Sequence, residues 1–230
     1  EKFSWNLPAR FNIARAVCDD WAEREPGRTA LIYKHGDGSV ENISYGRLSE
    51  EANRFANLLK RSGIGAGDRV AILLPQSMET VISHIAIYKL GAVAVPLAAL
   101  FGVEALEYRL NNSGAKALIT ARASLPKICE IRGQLETLQT IFSIDGADEL
   151  AEDLHAAFAR ESAEFETADT GINDPCLMIY TSGTTGPPKG ALHGHRVLPG
   201  HLPGVQFSHE FLPQPGDKFW TPSDWAWAGG

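Results

Sequence analysis

Leu177-Met178-Ile179-Tyr180 runs straight into Thr181-Ser182-Gly183-Thr184-Thr185-Gly186-Pro187-Pro188-Lys189-Gly190, and this junction decides the reading of the fold. The first four residues form an apolar run without polar alternation. That is the pattern of a strand buried on both faces, as in a parallel sheet covered by helices. The next ten form a loop of hydroxyls, glycines and one lysine. Glycines reach φ > 0 and let backbone N–H groups approach an anion closely. The hydroxyls of Thr181, Ser182, Thr184 and Thr185 donate to phosphate oxygens. Lys189 adds a charge-assisted bond, and Pro187 and Pro188 stiffen one end of the loop. Such a loop predicts a polyphosphate ligand. A Walker loop requires Gly, four residues and then Gly-Lys-Ser/Thr; here Lys189 stands between Pro188 and Gly190, which disfavours a nucleotide hydrolase. On composition alone the alternative is a polar linker.

Outward from this junction the same pattern recurs. Val70 to Leu74, Ala92 to Val95 and Ala117 to Ile119 are further continuous apolar runs. Between them, residues 78–90, 103–111, 123–135 and 149–160 read as helices. Alternation of buried strands with helices predicts an α/β domain built on a mainly parallel sheet flanked by helices. Nearer the N-terminus, Ile13, Val17 and Trp21 at four-residue spacing predict an amphipathic helix over 12–24. Leu31–Tyr33 and Val40–Ile43 flank Gly36-Asp37-Gly38, a hairpin signal. Ser44 is placed to cap a second helix with an apolar face of Tyr45, Leu48, Ala52, Phe55 and Leu59, ended by Gly63. The acidic stretch 148–169 reads as a solvated helix and loop. Asn173-Asp174-Pro175 is turn chemistry leading into the strand at Leu177. Ligands of α/β sheets gather at the carboxyl ends of such strands.

The bulk numbers narrow the function. The chain has 230 residues, 44% hydrophobic and 21% charged, with a net charge of −7. No basic footprint for nucleic acid is present, nor does the charge favour an anionic membrane surface. No apolar run has the length of a transmembrane helix, so stable membrane insertion is not expected. The N-terminus lacks both Met and the pattern of a signal peptide. Cys18, Cys129 and Cys176 are odd in number and far apart, without zinc or disulfide spacing. Reduced thiols in a cytoplasmic compartment are the simplest reading. His193, His195, His201 and His209 cluster, but without the convergent Cys or acidic partners a zinc site needs. Packing or substrate-side hydrogen bonding is expected of them, and no metal is assigned to protein ligands.

The eleven residues Tyr180 to Gly190 resemble the phosphate-loop signature of the adenylate-forming acid ligases. Other segments share the likeness: Tyr45-Gly46-Arg47-Leu48 with Ala52-Asn53, Gly67 to Ile72, Lys89 to Leu97, and Gly190 to Arg196. The run Trp220 to Gly230 looks most like the acyl-CoA synthetase branch. The resemblance implies that residues 1–230 are a partial N-terminal (large) adenylation domain, with its remainder and a small lid domain lying beyond Gly230. It implies that a carboxylate attacks the α-phosphorus of MgATP, giving acyl-adenylate and pyrophosphate, and that coenzyme A then takes the acyl group as a thioester. Thr181, Ser182, Gly183, Thr184, Thr185, Gly186, Lys189 and Gly190 would hold the phosphates, with Lys189 the catalytic charge. Trp225 and Trp227 are candidate walls of an acyl pocket, or simple core. ATP, Mg²⁺ and coenzyme A are the implied cofactors and co-substrates, and a fatty or short acyl acid the implied partner. The 230 residues alone are expected to be inactive. The rivals are a non-catalytic nucleotide-binding fragment and, within the ligases, a peptide-synthetase adenylation domain or an aryl-acid–CoA ligase. Neither the particular acid nor the oligomeric state is legible.

Overall fold

A computed structural model of the chain describes residues 5–181 and 186–227. The predicted first helix is present but irregular. A π-helical turn, Arg15–Asp19, leads into α1 (Asp20–Arg24). The predicted hairpin follows as β1 (Thr29–Lys34) and β2 (Val40–Ser44), antiparallel with Lys34 opposite Val40. The Ser44 hydroxyl then accepts from Arg47 N–H and starts α2 (Tyr45–Arg61). Gly63, with φ +82°, ends it: Gly63 N–H bonds Lys60 C=O and Ile64 N–H bonds Leu59 C=O, the paired bonds of a Schellman stop.

The rest of the domain winds around one sheet. Its strands are β3 (Arg69–Leu73), β4 (Val93–Pro96), β5 (Ala115–Thr120), β6 (Thr140–Ser143), β7 (Glu152–Asp153), β8 (Pro175–Thr181) and β9 (Lys189–Gly194). Among the described residues their order is β7-β6-β5-β3-β4-β8-β9, parallel throughout except for the antiparallel β8–β9 pair. The connections are α3 (Met78–Lys89), α4 (Val103–Ser113), α5 (Leu125–Ile131) and α6 (Leu154–Phe158), and α7 (Val197–Ser208) follows β9. Both faces of the sheet are covered. Val70, Ile72, Ala94, Ala117, Ile119 and Phe142 pack with α2 and α3. Ala71, Leu73, Val95, Leu118 and Ile141 pack with α4 and α5. Over Val70–Leu73, Ala94–Val95 and Ala117–Ile119 successive residues enter opposite cores, which is why the sequence shows runs and not alternation. The chain passes to opposite sides of β3, placing α3 on one face and α4 on the other. The winding therefore reverses between β3 and β5, whose carboxyl ends form the switch point at which α/β sheets bind ligands. β8 pairs parallel with β4, so its end at Thr181, where the loop expected to hold phosphate begins, lies at the same carboxyl edge of the sheet.

Several boundaries differ from expectation, each for a local reason. The helix expected over 149–160 is a short strand, β7, followed by α6, because Asp153 accepts from Ala156 N–H and caps the chain there. The helix expected over 123–135 is shortened to α5, with single 3₁₀ turns at Arg122–Ser124 and Arg132–Gln134. The acidic stretch is less solvated than its charge suggests. Asn53, Arg54 and Asn57 of α2 donate to the carbonyls of residues 161–164, and Arg61 pairs with Glu161. The stretch is thus strapped along α2 by its backbone.

Candidate functional site

The loop expected to hold phosphate joins the antiparallel strands β8 and β9. β8 ends at Thr181 and β9 begins at Lys189, and these two residues face each other in register. Ser182, Gly183, Thr184 and Thr185 lie outside the described residues. Of the rest, Gly186 has φ +84°, a conformation open to glycine. Lys189 is exposed and forms no ion pair among the described residues. Gly190 sits opposite Tyr180, and a Cβ there would lie 2.9 Å from Met178 Sδ and 3.3 Å from Tyr180 Cζ. Its backbone must therefore stay bare to let these side chains cross the hairpin. Thr181 and Lys189 are brought face to face at the two ends of the loop, and their hydroxyl and ammonium can both donate to a polyanion.

The Tyr180 side chain points into the α4–α5 core, while Leu177 and Ile179 face the α3 side. There an apolar cavity of about 370 Å³ opens beneath the same strand. Val81, His84, Ile85 and Tyr88 of α3 form one wall, and Trp225 and Trp227 close it. Trp225 meets the His84 ring edge-on at 5.5 Å. Gln76, just past the carboxyl end of β3, donates to Ser223 C=O and ties the tryptophan segment to this edge. His84 Nδ1 bonds the Tyr88 hydroxyl at 3.0 Å, while its Nε2 is buried without a hydrogen-bond partner among the described residues. Burial alone holds the imidazole down to about 4, so it is neutral at pH 7. His84 is absent from the sequence expectations because a histidine inside an apolar helix carries no spacing signal.

Other chemistry-bearing residues are structural here. His195 is fully buried and its Nδ1 accepts from Ile13 N–H at 3.1 Å. Burial brings it to about 4 despite the nearby Asp174 carboxylate. It fastens the N-terminal helix, and among the described residues no group of three or more His, Cys, Asp or Glu converges on a point. Burial pushes the Cys18 and Cys176 thiols up to about 11 and 12, which makes them poor nucleophiles. Lys89, 1% exposed, pairs with Asp19, whose second oxygen accepts from Thr167 Oγ1 at 2.6 Å. This buried pair joins α3 to the N-terminal helix and the acidic strap.

Against this arrangement, comparison with known proteins is decisive. The AMP-binding enzyme family matches residues 18–230. The chain belongs to that family. Among its relatives, acetyl-coenzyme A synthetase of Laribacter hongkongensis is 31% identical over 99% of this chain and 37% of its own length. Long-chain-fatty-acid–CoA ligase FadD13 of Mycobacterium tuberculosis is 40% identical over 68% of this chain and 30% of its own length. A solved acyl-CoA synthetase of Brucella canis superposes with TM-score 0.85 at 29% identity, covering 98% of this chain and 40% of that one. The anthranilate CoA ligase AuaEII, solved with anthranoyl-AMP, superposes with TM-score 0.77 at 31% identity, covering 86% and 37%. The chain thus spans about two-fifths or less of the length of these relatives. The expected fold, a mainly parallel sheet flanked by helices, is that of these adenylate-forming ligases, and the expected acyl-CoA synthetase branch is the one its relatives occupy. No helix among the described residues is long and apolar enough to cross a membrane.

Proposed function

We propose that this chain forms the nucleotide-gripping part of an AMP-forming acid–CoA ligase. The observation that carries the reading is the hairpin itself. It closes with Thr181 opposite Lys189 at the carboxyl edge of a parallel sheet, in a chain of the AMP-binding enzyme family. In this reading the loop hydroxyls and backbone N–H groups hold the β- and γ-phosphates of ATP, and Lys189 balances the charge that builds on departing pyrophosphate. Such catalysis rests on positioning and on electrostatic stabilisation of developing charge. No carboxylate is present among the described residues of the loop. Mg²⁺ would therefore arrive with the nucleotide, bound through phosphate oxygens and water, where it would shield their charge. The acid would place its carboxylate at the loop mouth and its apolar tail toward the cavity of Trp225 and Trp227, and coenzyme A would receive the acyl group.

The tail is expected to be apolar, because the cavity walls are. Acetyl and long-chain fatty acids are named for the Laribacter and Mycobacterium relatives. An aryl acid is the second reading, favoured by the aromatic walls and by the likeness to the anthranilate ligase. The test is Lys189→Ala in the intact protein, followed by acid-dependent ATP–pyrophosphate exchange. Loss of one such electrostatic contact predicts a fall of about 10²–10³ in kcat, with thioester formation from supplied acyl-adenylate much less affected. Single-turnover adenylate formation at the wild-type rate would refute the assignment.

A further inference from the structure

Two phenols hold the two limbs of the loop, and both reach the same helix. Tyr180, one residue before the loop, donates its hydroxyl to Asn112 Oδ1 at 2.7 Å and lies 3.3 Å from Arg109 C=O. Tyr108, four residues before Asn112 and so on the same side of α4, donates to Pro188 C=O at 2.9 Å. The two rings meet edge to face with centroids 6.5 Å apart. Pro188 immediately precedes Lys189.

The Tyr108 bond has a particular consequence at this place in the chain. Proline's ring locks φ near −65° and removes the N–H. The one free backbone rotation left at Pro188 is ψ, and ψ sets where its carbonyl points. The same rotation sets the direction of the following peptide and hence of Lys189. Holding the carbonyl oxygen therefore fixes the launch angle of the lysine. Pro187 and Pro188 have no N–H to lend to the sheet, so strand pairing does not constrain this limb until Lys189.

We infer that Tyr108 is a positioning residue for the reaction: through Pro188 C=O it aims Lys189 at the nucleotide phosphates, with Asn112 holding the opposite limb through Tyr180. The inference rests on the nucleotide-gripping role proposed for the hairpin. It also couples the α4 segment to the loop, so a ligand or substitution that shifts α4 would be felt at the phosphates.

The test is Tyr108→Phe in the intact protein, which keeps the ring and its edge contact and removes only the hydroxyl. Steady-state adenylation is measured while varying ATP and the acid separately. A control, Leu59→Ala, lowers stability from the far face of the sheet, away from the cavity. The expected result is a fall of about 5–10-fold in kcat/KM for ATP, the worth of one hydrogen bond, with KM for the acid unchanged. Tyr108→Phe with wild-type ATP parameters, alongside a crippled Lys189→Ala, would overturn the role of Tyr108 and leave the ligase reading intact. Equal losses toward ATP and acid, matching the control, would show a merely structural residue and also overturn it. Absence of acid-dependent exchange in the wild type would remove both readings together.

Discussion

Residues 64–145 and 197–227 are both rich in large apolar side chains, yet they meet water in opposite ways. In the first stretch nearly every one is buried between sheet and helices; Leu100, in the loop after β4, is the clear exception. In the second, Phe207 is 83% exposed and Trp220 79%, with Phe211 and Phe219 also largely in solvent. The difference is one of architecture more than of composition. A strand of a covered parallel sheet offers two faces to helices, so every side chain along it finds a core. α7 touches the α2–α3 core only through Val197 and Leu198 at its start, and the segment after it mainly through Trp225 and Ala226, so the other large apolar side chains there find no second layer among the described residues. Contiguous exposed apolar side chains are the mark of a contact surface.

The largest effect expected of this contrast lies at the buried end of α3. Lys89→Met removes the partner of Asp19 and leaves its carboxylate uncompensated in a buried setting. Such a break costs about 3–5 kcal/mol. Urea unfolding at pH 7 measures it. The double substitution Asp19→Asn, Lys89→Met is expected to recover much of the loss, because neither charge then remains unpaired. A Lys89→Met protein as stable as wild type would show that the pair contributes nothing.

How much of this was legible tracks the same divide. The runs at Val70, Ala92, Ala117 and Leu177 announced their strands because both faces are buried. β6 gave no such signal: of Thr140-Ile141-Phe142-Ser143, only the middle two are apolar, and they enter different cores. β9 carries two glycines in six residues, and α7 carries two prolines and two glycines in twelve, which local propensity counts against both elements. At the site, residue type alone raised the expectation of a phosphate ligand. That Lys189 opens a strand, and that Gly190 is bare so that Met178 and Tyr180 can pack, required the cross-strand register. Tyr108 and Asn112 were invisible, since their partners stand 80 and 68 residues away.

A smaller effect is expected of pH. His84 and His195 are both held near 4 by burial, whereas in the unfolded chain they titrate near 6.5. The unfolded state therefore binds more protons between these values, and stability falls as pH drops from about 6.5 toward 4. Each histidine is expected to remove about 2 kcal/mol by pH 5. The Glu79–His155 pair acts outside this window. The Glu79 carboxyl is held at about 2 by its bond to His155, so its contribution is complete above about 4.5 and is lost below. His155 is raised, chiefly by Glu79, and its contribution is lost only as pH climbs through that raised value. His84→Phe should flatten the fall between pH 6.5 and 5, whatever it does to the absolute level. An unchanged slope would mean that His84 is already hydrated or charged in the folded state.

The smallest effect tests the exposed end of the comparison. Phe207 projects from α7 into solvent, so Phe207→Ser removes little buried area from this chain and should change its unfolding free energy by no more than about 0.5 kcal/mol. Urea unfolding of the two 230-residue proteins side by side decides it. A loss of about 2 kcal/mol or more, the size of a buried-core effect, would mean that the ring is covered in solution, by another copy or by a rearranged segment of the chain. The boundary between core and contact surface would then lie beyond β9. If instead the small change appears in this chain and a large one in the intact protein, the ring has its partner in residues outside this stretch. The contrast between the two regions would then be one of where the covering layer is encoded, not of whether it exists.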